Sequence, residues 1–265
     1  MSLRKALDHV RSADGTRIAV WRSGDAKPLV CLHGIAVDHG HWDAVRPLLE
    51  DVASVVAVDR RGHGASEPGP ASYSLAEEVA DLAAVIEACG GRADVLAHSY
   101  GGLVALEAAL LDLPIDRLVV YEPSVAHDPA WPGIVARVAD LVGRGQTERA
   151  AETLLIESAG VPAGEVAAVH DLPLWPVILR GVEVLPREGR EIVDYLFRPE
   201  RFAELAPSTL VLVGEHSPAY LHEAMRALDG AAPDSKLRVL AGQEHVAAQA
   251  APDLFVAEIL RFWGR

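Results

Sequence analysis

Cysteine is almost missing from this sequence, with two residues in 265. Cys31 falls inside an apolar, strand-like run and Cys89 at the end of a helical one. Both read as small core residues, so neither a disulfide framework nor a catalytic thiol is expected. Cationic side chains are also scarce. Lys and Arg number 24 against 38 Asp and Glu, a formal net charge of −14, which argues against nucleic acid and against anionic membrane surfaces as partners. Most of that charge reads as solvated surface. No apolar stretch is long and uninterrupted enough to span a bilayer. The first five residues lead into a polar hairpin rather than a signal peptide, and there is no internal repeat, low-complexity tract, P-loop or dinucleotide fingerprint. A soluble, cytoplasmic protein is the expectation. What is abundant is apolar mass. Half of the residues are hydrophobic and the mean hydropathy is +0.17, enough for a large core built as one domain, or as one domain with an insertion.

The apolar residues are ordered. Residues 7–23 alternate around Asp14-Gly15, a hairpin signal. Strand-like runs at 28–33, 54–59, 93–97 and 115–121 then alternate with helical spacing at 41–49, 75–88 and 100–111. The rhythm resumes with a strand at 209–214, a helix at 221–228, a strand at 236–240 and a helix at 252–263. Such alternation predicts a mostly parallel sheet covered on both faces. Between 124 and 207 it breaks. Apolar residues recur with helical spacing at Ile134, Val138, Leu141 and Val142, and again at Ala150, Leu154 and Leu155. Pro132, Pro162, Pro173, Pro176, Pro186 and Pro199 punctuate the stretch, which reads as several short helices without a strand. The expected division is a core of 1–123 and 208–265 interrupted by a helical insertion, 124–207.

One junction carries a chemical signal. Ala97-His98-Ser99-Tyr100-Gly101-Gly102 passes from a strand into a helix, the layout of a nucleophile elbow. A turn that sharp needs small neighbours two positions either side of the serine, here Ala97 and Gly101; a helix N-cap is the plainer alternative. Three more segments accompany it. Leu29 to Gly34 is an apolar run closed by His-Gly, Val55 to Ser66 is a strand ending in a glycine-punctuated turn, and Gly242-Gln243-Glu244-His245-Val246 puts a histidine in a loop after a strand. In this order the four segments resemble the α/β-hydrolase superfamily across nearly the whole chain, and within it capped serine hydrolases such as esterases and lactone hydrolases. His33-Gly34 is similar to the family's oxyanion-loop motif, Asp59 to Ser66 to its D-x-R-G-x-G-x-S turn, Ser99 to its nucleophile and His245 to its base. Ala97 stands where the family usually has Gly. The elbow has no aspartate nucleophile, which argues against the haloalkane-dehalogenase and epoxide-hydrolase branches.

The resemblance implies an α/β-hydrolase fold, with a mostly parallel sheet flanked by helices and the insertion as a helical cap. It implies acyl transfer through a serine ester, with His245 as proton acceptor and donor and an oxyanion hole formed by the backbone N–H groups of Tyr100 and Ile35. The third triad member departs from the family. The usual G-x-x-D turn reads Gly214-Glu215-His216-Ser217, with Ser217 in the acid's place. Glu122, after the preceding strand, is the expected replacement, a position used by some lactone-cleaving members. Glu215 is the alternative, and Glu244, adjacent to His245, is expected to point away. His33 is expected to order the oxyanion loop, His98 to shape the elbow, and Asp59 and Arg60 to tie down their own turn. Asp38, His39, His41 and Trp42 read as a capped helix start rather than a metal site. Trp175, and less strongly Trp131, are expected in a substrate pocket beneath the cap. The combined expectation is a serine hydrolase cleaving a carboxylic ester or lactone of an apolar small molecule, with no metal or organic cofactor. Two alternatives stay open: a C–C bond hydrolase of diketone-like substrates, and a non-catalytic ligand-binding protein on the same fold. The substrate's identity and the oligomeric state are not indicated.

Overall fold

A computed structural model of the chain describes residues 6–265; the expectation of no signal peptide in the first five residues lies outside them. The chain opens with a hairpin, β1 (Ala6–Arg11) and β2 (Arg17–Ser23). Gly15 at φ 89° makes its turn, and Asp14 Oδ1 accepts from the Thr16 amide at 2.9 Å. The remaining strands are β3 (Pro28–Leu32), β4 (Ser54–Val58), β5 (Ala93–His98), β6 (Ile115–Tyr121), β7 (Ser208–Gly214) and β8 (Ser235–Leu240). They form one eight-stranded sheet ordered β1-β2-β4-β3-β5-β6-β7-β8. β1 and β2 run antiparallel to their neighbours, and every pairing from β4 through β8 is parallel. All six residues of β5 are buried, because a central parallel strand is covered on both faces; its one acid, Asp94, is paired with Lys27 and Arg117.

Helices α1 (Arg46–Leu49), α2 (Leu75–Ala88) and α3 (Ser99–Leu110) follow β3, β4 and β5. The insertion after β6 holds α4 (Trp131–Gly143), α5 (Thr147–Glu157), α6 (Val166–His170) and α7 (Trp175–Asp194). Then α8 (Ala219–Ala231) joins β7 to β8, and α9 (Ala247–Ala250) and α10 (Pro252–Phe262) end the chain. One face of the sheet packs on α2, α3, α8 and the insertion helices. The other packs on α1, α9 and α10 around Trp42, Leu49, Phe255 and Ile259.

Two elements differ from the expected pattern. The helix expected at 41–49 is a 3-10 turn, His39–Trp42, followed by the single turn of α1, because Asp38 Oδ1 accepts from the Gly40 amide at 2.9 Å and caps a tight turn there. The insertion is not made only of short helices, since α7 runs 20 residues through Pro186. Pro176 sits in its first turn, where a missing N–H costs nothing. Trp175, Ile178, Val182, Leu185 and Ile192 form one buried stripe, and packing of that stripe outweighs the hydrogen bond lost at Pro186. Among the described residues, no helix is long and apolar enough to cross a membrane.

Candidate active site

The carboxyl ends of β3, β5, β6 and β7, with the loop after β8, carry every residue singled out for chemistry apart from the two tryptophans. Parallel topology puts these ends on one edge of the sheet, where such folds place their sites. Ser99 leaves β5 with φ 53°, the left-handed region that a non-glycine residue enters only under constraint. The constraint is visible around it. A Cβ on Gly101 would lie 2.5 Å from the His33 carbonyl oxygen, and one on Gly34 would lie 3.0 Å from Ser99 Cβ. The elbow therefore packs backbone against backbone, and Ser99 is 7% exposed at its tip. The Ser99 hydroxyl exchanges a hydrogen bond with Ser124 Oγ at 3.2 Å, and the Ser124 amide donates to the Ser99 carbonyl at 3.0 Å.

β6 lies beside β5 and β7, so the residue at its end sits between the elbow and the β7 turn. That residue is Glu122, fully buried, with φ 43°. Its Oε2 meets His245 Nδ1 at 2.5 Å. Its Oε1 accepts from the Gly214 amide at 2.7 Å and from Ser217 Oγ at 2.5 Å. Both carboxylate oxygens are thus aimed, and the serine that replaces the usual acid has become a donor to its substitute. Glu215 is elsewhere: its carboxylate accepts from the Gly242 amide at 2.7 Å and ties down the histidine loop. The Glu244 carbonyl accepts from the Tyr121 hydroxyl, which itself accepts from the Ala247 amide at 3.2 Å. Tyr121 therefore pins the loop on both sides of His245. Sequence reading missed Ser124, Ser217 as a donor, and Tyr121. Only the adjacency of β5, β6 and β7 exposes them, and no local motif encodes it.

Burial alone would push the Glu122 carboxyl up. The His245 hydrogen bond and charge, with the Ser217 and Gly214 donors, outweigh it and hold the group below its ordinary value. A carboxylate lowered in the folded state stabilises the fold fully above its unfolded pKa, and that contribution fades as the pH falls through the lowered native one. The stability gap between the wild type and Glu122→Gln is therefore expected to narrow on acidification from about pH 6 to about pH 3, bracketing the ordinary glutamate value. Denaturant melts across that range test it, and a gap that widens towards acid would contradict the hydrogen bonding assigned to the Glu122 carboxylate.

Histidines surround the pair. The His98 ring lies 4.4 Å from that of His245 and stacks on His41 at 4.7 Å. Burial, reinforced by neighbouring imidazoles, holds His98 well below its ordinary pKa, and burial with His245 lowers His41 to about 3. The two form a neutral wall against His245. His33 is also held neutral by burial and by Arg60. Its Nε2 accepts from the Arg60 amide at 3.1 Å, and its Nδ1–H donates to the Gly34 carbonyl at 2.7 Å.

The loop 34–36 follows, with Ala36 at φ 55°. The Tyr100 amide belongs to the first turn of α3, where backbone N–H groups have no intrahelical acceptor. Trp175 and Trp131 are both buried in the apolar cluster that one face of the sheet shares with the insertion, with Trp175 stacked on His170 at 4.0 Å. Asp38, His39 and Asp59 could offer three ligand atoms to a cation within 4.8 Å of one another. Turn-building accounts for them: Asp38 caps Gly40, and Asp59 accepts from Trp21 Nε1, His39 and the Ala65 amide. Asp59 thus ties down its own turn as expected. Arg60 also holds that turn, through His63 Nε2 at 3.4 Å and the His63 amide on its carbonyl at 2.9 Å, and it reaches beyond it to the His33 and Gly34 carbonyls and to α7.

An elbow at the end of a central parallel strand, a carboxylate–histidine pair and a His-Gly loop on one sheet edge define an α/β-hydrolase. A sequence model of the alpha/beta hydrolase family matches residues 29–258, and the chain belongs to that family. Its structure is similar to that of an alpha/beta hydrolase from Sphaerobacter thermophilus DSM 20745, at 32% identity and a TM-score of 0.84, covering 97% of this chain and 100% of the other. It is also similar to the esterase RhEst1 from Rhodococcus sp. ECU1013, at 26% identity and a TM-score of 0.75, covering 97% and 98%. In sequence it is 29% identical over 270 residues to the 2-heptyl-3-hydroxy-4-quinolone dioxygenase AqdC2 of Rhodococcus erythropolis, covering 94% of this chain and 96% of the relative. Other curated relatives are longer, and the matched part of the chain spans 17 to 58% of their length.

Proposed function

We propose that the protein is a serine hydrolase that cleaves a carboxylic ester or lactone of an apolar small molecule. One observation carries the reading: the fully buried Glu122 carboxylate on His245 Nδ1 at 2.5 Å, on the sheet edge that holds the strained Ser99. A carboxylate on Nδ1 fixes the tautomer, so Nε2 is the nitrogen that can accept a proton. Ser99 Oγ exchanges Ser124 for Nε2, loses its proton to it and attacks the acyl carbon. The amides of Ile35 and Tyr100 receive the developing oxyanion. His245 then protonates the departing alkoxide and activates the water that releases the acid. Glu122 stabilises the imidazolium in both halves.

The insertion acts as a cap in this reading. Val246, next to His245 and 53% exposed, favours apolar substrates. The similarity to an esterase at 26% identity supports the bond type. Trp175→Ala should weaken long-chain esters more than acetates. An aromatic contact of roughly 1.5–3 kcal/mol corresponds to a change in kcat/KM of up to about a hundredfold. Equal loss across the chain-length series would make Trp175 a packing residue instead. The primary test is labelling by a fluorophosphonate probe alongside turnover of p-nitrophenyl esters and aryl lactones. Absence of both labelling and turnover would overturn the proposal.

A second reading is favoured by the end-to-end match to the quinolone dioxygenase. There the His245–Glu122 pair would act as base on a substrate hydroxyl, with Ser99 left on Ser124. Oxygen uptake with a 3-hydroxy-4-quinolone, retained in Ser99→Ala and lost in Glu122→Gln, would select it over ester hydrolysis.

A further inference from the structure

A charged side chain is buried behind the oxyanion loop. Arg60 is 1% exposed. Its Nε donates to the His33 carbonyl and its Nη2 to the Gly34 carbonyl, both at 2.9 Å, so one guanidinium grips the two peptides that lead into Ile35. Its remaining face is held by carboxylates. Glu78 of α2 lies at 3.0 Å and Glu188 of α7 at 2.7 Å. Glu188, fully buried, also meets His63 Nε2 at 2.9 Å. Burial opposes its ionisation, but Arg60 and His63 outweigh burial and hold its pKa down to about 2.

The same helix touches the loop a second time. A Cβ on Gly181 would lie 2.4 Å from Ala36 Cα, so the backbone of α7 rests on the strained residue that follows Ile35. Arg187, next to Glu188, donates to the Arg61 and Pro68 carbonyls at 2.9 Å. Stability does not explain such an arrangement. Among the described residues Glu188 Oε2 is buried without a hydrogen-bond partner, and a half-satisfied buried ion pair is a poor source of folding energy compared with apolar packing. It does fix geometry, because a planar guanidinium with two carbonyls on one side and two carboxylates on the other has one orientation available.

We infer that Arg60 and Glu188 are positioning residues that let α7 of the insertion set the oxyanion loop. The insertion then contributes to the chemical step as well as to substrate binding. The inference rests on the oxyanion role proposed for the Ile35 amide. In an aligned loop that amide meets the oxyanion only as it forms, so misalignment lowers kcat and leaves KM nearly unchanged.

Glu188→Gln tests this with little change in shape. The expected result is a kcat lower by about ten- to hundredfold, as for a misplaced or lost oxyanion donor, with KM within about threefold of the wild type. Binding of a trifluoromethyl ketone should weaken in step with kcat/KM. A crystal structure of the variant should show the Gly34 carbonyl outside hydrogen-bond distance of Arg60. A merely structural role is separated by the triple variant Arg60→Met/Glu78→Gln/Glu188→Leu, which removes the three buried charges together. It should regain the wild-type Tm and not the wild-type kcat. An unchanged kcat and loop in Glu188→Gln, or a kcat restored in the triple variant, would overturn the inference. A wild type without hydrolase activity would instead overturn the functional reading, and the loop position in the Glu188→Gln crystal would still decide whether the clamp sets the loop.

Discussion

Ser99→Ala is expected to cut kcat for ester hydrolysis by about 10⁶-fold, the typical cost of deleting a serine nucleophile. The fold should survive the change. The hydroxyl sits at the tip of the elbow and is hydrogen-bonded to Ser124, so little packing is lost. The backbone strain is the same for both residues, because alanine and serine pay equally for φ 53°. Wild-type and variant melts should nearly coincide, while fluorophosphonate labelling disappears. The Glu122–His245 pair should remain, since the Glu122 carboxylate is held by His245, Gly214 and Ser217. More than a few per cent of activity in a contaminant-free preparation would mean that another group attacks the carbonyl. Loss of ester turnover with oxygen uptake intact would point to the base-only reading of the same site.

The parts of this site that were legible in sequence are those encoded locally. An apolar run ending in His33-Gly34, small residues flanking Ser99 and a histidine after Gly242 each declare a turn through its own steric demands. The alternation of strands and helices likewise declared the parallel sheet. What stayed hidden depends on strand order. Ser124 reaches Ser99, and Ser217 reaches Glu122 across 95 residues, because β6 lies between β5 and β7. Pro186 was a misleading signal for a similar reason. A proline read alone suggests a break, and only the buried stripe of α7 against the core keeps the helix continuous. Arg60 looked like a turn residue because its sequence neighbours are turn residues. Its partners Glu78 and Glu188 lie on two different helices. Long-range polar pairs of this kind have no periodicity to read.

Glu122→Gln should lower kcat by roughly 10³–10⁴-fold, the scale seen when a triad acid is neutralised. An amide can present either its oxygen or its nitrogen to His245 Nδ1. Either way the imidazolium loses its counter-charge and the tautomer is no longer fixed. The hydrogen bonds to Oε1 from Gly214 and Ser217 can still be accepted by the amide oxygen, so the side chain stays in place and the loss is chemical rather than structural. Ser217 supplies the decisive control. In the wild type its hydroxyl is a donor 2.5 Å from the Glu122 carboxylate. Ser217→Asp alone therefore sets a second carboxylate against a buried one, which raises the pKa of the pair and should reduce activity. In the Glu122→Gln background the same substitution restores a negative charge on the β7 turn, where most of the family carries its acid, and should recover part of the lost kcat. One substitution with opposite signs in two backgrounds is coupling that independent sites do not show. Ser217→Asp harmless in the wild type and without effect in Glu122→Gln would show that neither position holds the acid. A crystal of Glu122→Gln with His245 bound by Glu215 would move the role to that residue.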